Sequence, residues 1–110
     1  MEIFTPRKLK FKAWNQEEKL LMRLNSIDCN RGELFKKNHI LLQFTGMVDK
    51  QEEEIYEMDI LLKGNVKYLV RWNEVNNQWC YSQASEPDNH KPLFAKEAAE
   101  FMRLRSYFEE

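Results

Sequence analysis

Cysteine is scarce in this 110-residue chain: Cys29 and Cys80 stand 51 positions apart. Two are too few for a disulfide scaffold, and neither has a second Cys or a His at zinc-ligand spacing. Reduced thiols follow, with Cys80, beside Trp79 in an expected strand, a small buried hydrophobe rather than a nucleophile. Glycine is as sparse. Gly32, Gly46 and Gly64 lie far apart, so there is no glycine-rich phosphate loop, which disfavours nucleotide hydrolysis. Charge of one sign is missing too: 17 Lys and Arg against 18 Asp and Glu leave a net charge of −1, without the footprint of a strongly electrostatic nucleic-acid binder. No window holds the roughly 18 apolar residues a membrane-spanning helix requires. The N-terminus, with Pro6 and four basic residues by position 12, lacks the apolar stretch of a signal peptide. His39 and His90 fall in different segments, so no metal, cofactor or catalytic set is expected. The absences together describe a cytoplasmic, non-enzymatic protein with no membrane association.

What is present is enough to fold. Hydrophobic residues make up 43% of the chain, and Trp14, Trp72 and Trp79 join seven Phe and four Tyr as bulky core candidates for one ordinary domain. From Lys8 to Ala13, Lys8, Lys10 and Lys12 alternate with Leu9, Phe11 and Ala13, the period of a half-buried strand. The lysine row reads either as a solvated face that discourages edge pairing or as a contact surface for phosphate. Asn15 to Lys19 reads as a polar turn. Leu20 to Leu24 is an apolar segment, helix or strand, that could return as a hairpin. Ser26 to Asn38 reads as a loop with a short turn. Ile40 to Phe44 is short and apolar enough to be a strand buried on both faces, with Gly46 turning the chain out of it.

The acidic group of Asp49, Glu52, Glu53, Glu54, Glu57 and Asp59 lacks the ligand order of a calcium loop and reads as a solvated connection. Asp59 is the exception: among apolar neighbours it needs a hydrogen-bond partner, and backbone amides at a turn would serve. Val66 to Trp72 alternates as the clearest strand, and Gln78 to Tyr81 is its partner across the loop Asn73 to Asn77. Ser82 to Lys91 is turn-rich. Beyond Pro92, the spacing of Phe94, Ala98, Phe101, Met102, Arg105 and Phe108 predicts a C-terminal helix.

Two blocks carry a resemblance to a known family. The first is Lys10 to Asn15, ending in Ala13, Trp14 and Asn15. The second runs from Leu42 to Leu62 and includes Phe44, Thr45, Gly46, Asp49, Ile55, Tyr56 and Asp59, followed later by Val70 and Trp72. In both the chain resembles the YopX family of small phage and prophage proteins. Two family glycines are replaced, one by Glu53 and one by Met58, so the tight turns glycine permits are not assured. The resemblance implies a phage or prophage origin, one domain over residues 1–110 and no established activity. The segment after Asp59 is also similar to the opening of SH3-like barrels. The expected fold is therefore α+β, mainly β: a small, partly open SH3-like barrel with N-terminal strands and a C-terminal helix.

Two functions fit these readings. One is a protein-interaction or assembly module that binds itself, or a phage or host protein, through a barrel edge or the C-terminal helix. The other is a nucleic-acid-binding accessory factor contacting phosphate through Lys8, Lys10, Lys12, Arg103 and Arg105. For those arginines and the nearby Tyr107 and Phe108, solvation and core packing respectively are the competing account.

Overall fold

A computed structural model describes residues 4–109. It is mostly β. Strands β1 (Phe11–Asn15) and β2 (Leu20–Arg23) form an antiparallel hairpin, and the Asn15 side chain accepts from the Glu17 and Glu18 amides, both at 3.0 Å, to shape the intervening turn. Leu20 to Arg23 is thus a strand. A small separate hairpin follows, β3 (Asp28–Asn30) with β4 (Glu33–Phe35). The reading of residues 26–38 as a loop is corrected here: Arg31 at φ 51° and Gly32 at φ 84° supply the left-handed pair that a two-residue hairpin turn requires.

The long strand β5 (His39–Val48) connects the two ends of the first sheet. Its first half pairs with β1 and its second with β6 (Glu54–Tyr56), in the order β2-β1-β5-β6. Gly46 does not end this strand. It sits at φ 86° inside a bulge between the Phe44 and Val48 pairings, where the Thr45 hydroxyl donates to the Ile55 carbonyl at 2.8 Å. A bulge bends its strand, and here it helps curl the sheet.

The second sheet has the order β10-β9-β8-β7-β11, from β7 (Asp59–Lys63), β8 (Val66–Asn73), β9 (Gln78–Ser82), β10 (Lys91–Pro92) and β11 (Met102–Ser106). β7 pairs antiparallel with one edge of β8, and on the other edge the β8–β9 hairpin matches the sequence expectation closely. The expected C-terminal helix does not. Only one helical turn, α1 (Ala95–Ala98), forms before the chain pairs as β11 along β7. Long-range pairing outweighs local helix propensity here, because β11 satisfies the edge of β7 that β8 leaves open. Ala98 and Phe101 still reach the core, which also holds Ile55, Leu61, Val70, Trp79 and Leu93. Phe101 is flanked edge-on by Tyr68 and Tyr81, with ring centroids 5.5 and 5.1 Å away. Trp14 is buried and stacks on Phe108 at 5.6 Å.

The turn joining β6 to β7 keeps the geometry for which glycine is suited, without the glycine. Met58 lies at φ 67°, its amide donates to the Val70 carbonyl at 2.8 Å and its carbonyl accepts from the Tyr107 amide at 2.7 Å. Glu52, one residue before the other replaced glycine, adopts φ 64°. A side chain in this region costs about 1–2 kcal/mol. Met58→Gly is expected to raise the unfolding free energy by about 1 kcal/mol, read as a higher urea midpoint at unchanged slope, whereas Met58→Ala, which retains a Cβ, should show no such gain.

Candidate functional site: a cleft of paired charges

An open cleft of about 630 Å³ is lined by residues 9–12 at the start of β1, the end of β2 with the residues after it, Glu52 and Glu53, Glu54 and Tyr56 of β6, and Arg103 of β11. Lys10, Lys12 and Arg103 meet in it, and Arg23, which sequence reasoning missed, joins them. Lys8 is exposed and Arg105 half-buried; both lie outside the cleft lining. The contact residues proposed from sequence are thus only partly brought together.

The lysines that enter the cleft are not a plain solvated row. Lys10 is ion-paired with Glu54 and lies 5.3 Å from the centroid of the Phe44 ring. Its hydrogen bond to Glu54 raises the Lys10 pKa. Lys12 is half-buried over the Tyr56 ring at 4.4 Å. Burial, then the neighbouring charge of Arg103, push its pKa down.

Arg103 is held from both sides. Its Nε donates to Asp59 Oδ2 at 2.8 Å and one terminal nitrogen donates to Oδ1 at 3.3 Å, the fork geometry that suits a carboxylate. Its backbone amide donates to Asp49 Oδ2 at 2.7 Å. The expectation that Asp59 accepts at a turn holds, since Oδ2 also takes the Tyr56 amide at 2.8 Å. Asp49 is a correction. Far from belonging to a solvated connection, it is 2% exposed, and its Oδ1 accepts from the Gln51 and Glu53 amides, both at 2.8 Å. The spacing Asp49-x-Gln51-x-Glu53 is that of a carboxylate curling the following backbone around itself, a signal present in the sequence but masked by the acidic run.

Burial pushes the Asp59 carboxyl above the ordinary aspartate range despite Arg103 and the Tyr56 amide. Burial acts the same way on Asp49, but the amides of Arg103, Glu53 and Gln51 outweigh it and hold that carboxyl below the range. Among the described residues no group of three or more His, Cys, Asp or Glu could hold a metal ion. His39 hydrogen-bonds the Lys37 carbonyl at 2.8 Å, and Cys80 is buried, which raises its thiol pKa. Charged side chains and the Tyr56 ring line the cleft.

This curled, mostly β architecture is already seen in a solved structure. The crystal structure of protein EF1440 from Enterococcus faecalis superposes with a TM-score of 0.60 over 93% of this chain and 94% of that one, at 17% identity, which shows a common fold. The YopX protein family model matches residues 1–101, and the chain belongs to the YopX family. No curated protein matches it. No helix among the described residues is long and apolar enough to cross a membrane.

Two measurements test the Arg103 clamp. Arg103→Met, which leaves Asp59 buried without its cation, should cost about 3–5 kcal/mol, and adding Asp59→Leu should recover much of that loss. The two aspartates also differ in sign with pH. For Asp49 the folded-state pKa is depressed, so its stabilisation is complete above the unfolded value and is lost as pH falls through the folded one. For Asp59 it is raised, so protonation favours the folded state as pH falls through that value. The urea midpoint of the wild type should therefore decline more steeply below about pH 4 than that of Asp49→Asn. Parallel curves would show that Asp49 is not held in its ionised form.

Proposed function

We propose that this protein is a non-enzymatic protein-interaction module that engages a protein surface, in the first instance a second copy of itself, through the β3–β4 hairpin. The observation that carries this reading is the exposure of all six residues of these two strands, including Leu34 at 39% and Phe35 at 47%. Leu34 and Phe35 are adjacent in a strand and so point to opposite faces. A two-stranded hairpin with apolar residues on both faces and no covering layer is marginal by itself. The Cα radius of gyration of 14.7 Å exceeds the about 13 Å expected of a compact domain this size, in keeping with a projecting arm. The segment expected as a C-terminal helix offers no such surface, because its Ala98 and Phe101 pack in the core. Within this reading the chain is a cytoplasmic protein of phage or prophage origin, its curled β sheet a partly open SH3-like barrel.

A nucleic-acid-binding role has one observation in its favour, the convergence of Lys10, Lys12, Arg23 and Arg103 on one cleft. Glu52, Glu53 and Glu54 line the same cleft and oppose a polyanion there, so this reading ranks second. Light scattering coupled to size exclusion should give a dimer or larger assembly that dissociates in Leu34→Asp/Phe35→Asp while the circular dichroism spectrum is retained. A monomer at every concentration, shifted by short DNA only at low salt, would replace the first reading with the second.

A further inference from the structure

A smaller recess of about 180 Å³ is lined by Arg7, Gln43, Glu57, Trp72 and Trp79. Trp72 and Trp79 are directly opposed on β8 and β9, with ring centroids 5.0 Å apart and planes at 76°. Trp79 is buried and supports the pair, whereas Trp72 is 38% exposed. Glu57, in the turn after β6, is held in place as its amide donates to the Gln43 carbonyl at 2.8 Å. Its side chain is half-buried, and burial raises its pKa against the opposing pull of the Gln43 backbone amide. Among the described residues no cation forms an ion pair with this carboxylate. Arg7 lines the recess but its side chain is exposed and no ring-face contact joins it to either indole.

A carboxylate beside two indoles combines the attractions that select an organic cation: charge, and the negative face of the aromatic ring. A volume of 180 Å³ lies below the about 300 Å³ at which drug-sized ligands are accommodated, so the recess suits one head group rather than a whole molecule. We propose that Glu57, Trp72 and Trp79 form a subsite for the cationic head group of an alkylguanidinium or alkylammonium. The head group can belong to a free small cation or to a side chain of a bound protein, and the chemistry of capture is the same. This subsite is independent of the β3–β4 arm, and either can fail without the other.

The indole N–H resonances of the full chain report on it directly. During titration with methylguanidinium and with tetramethylammonium at neutral pH, the Trp72 and Trp79 signals should move and saturate while Trp14 stays fixed. Neutral methylurea should leave all three unmoved. Glu57→Gln should weaken binding about tenfold and Trp72→Leu, at a partly exposed position, should do the same in a folded chain. A capped Gly-Arg-Gly peptide binding more tightly than methylguanidinium assigns the natural ligand to a protein side chain; equal affinities assign it to a small cation. Unmoved indole signals, equal binding of methylurea, or undiminished binding by Glu57→Gln overturns the proposal. So does a full chain that binds only after Arg7→Ala, which would make Arg7 itself the occupant.

Discussion

Everything around the cleft depends on how Arg103 is held between two buried aspartates. Its backbone amide is taken by Asp49, at the end of β5, and its guanidinium by Asp59, at the start of β7. One residue of the last strand therefore ties together the connection before β6 and the turn after it. Asp49 also gathers the Gln51 and Glu53 amides, and the Lys50 amide donates to the Phe101 carbonyl at 2.9 Å. Two neighbouring stretches, around Asp49 and Asp59, meet a strand far along the chain with these buried carboxylates hydrogen-bonded, the condition under which buried charge is tolerated.

The cations of the cleft are engaged to different degrees. Arg103 is committed to Asp59, Lys10 to Glu54, and Lys12 lies against the Tyr56 ring. Of the four cations that line it, Lys10 and Arg103 are paired with carboxylates. The recess at Trp72 differs, since its half-buried carboxylate, Glu57, forms no ion pair among the described residues although Arg7 lines the same recess.

Legibility followed the range of the interactions. The β8–β9 hairpin was readable because alternation and turn residues act over a few positions. The β1–β2 pairing was legible for the same reason, with Asn15 as the turn. Met102 to Ser106 was misread although Met102, Leu104 and Ser106 alternate with two arginines. The stripe from Phe94 to Phe108 fits a helical period as well, and only the unsatisfied edge of β7 decides between them. Arg31-Gly32 carried a hairpin signal that the polar composition of its surroundings obscured.

The sequence by itself determined the β-rich character, the local hairpins, the need of Asp59 for a partner and the family to which the chain belongs. Each rests on residue type and short spacing. Tertiary structure alone decided that Arg103 is that partner, that Asp49 is buried, that Gly46 bends a strand instead of ending it, and that Glu57 faces a tryptophan pair. Hydrogen bonds between residues 44 and 54 positions apart leave no periodic trace in a chain, because what selects them is the desolvation of groups brought together only when the sheets close.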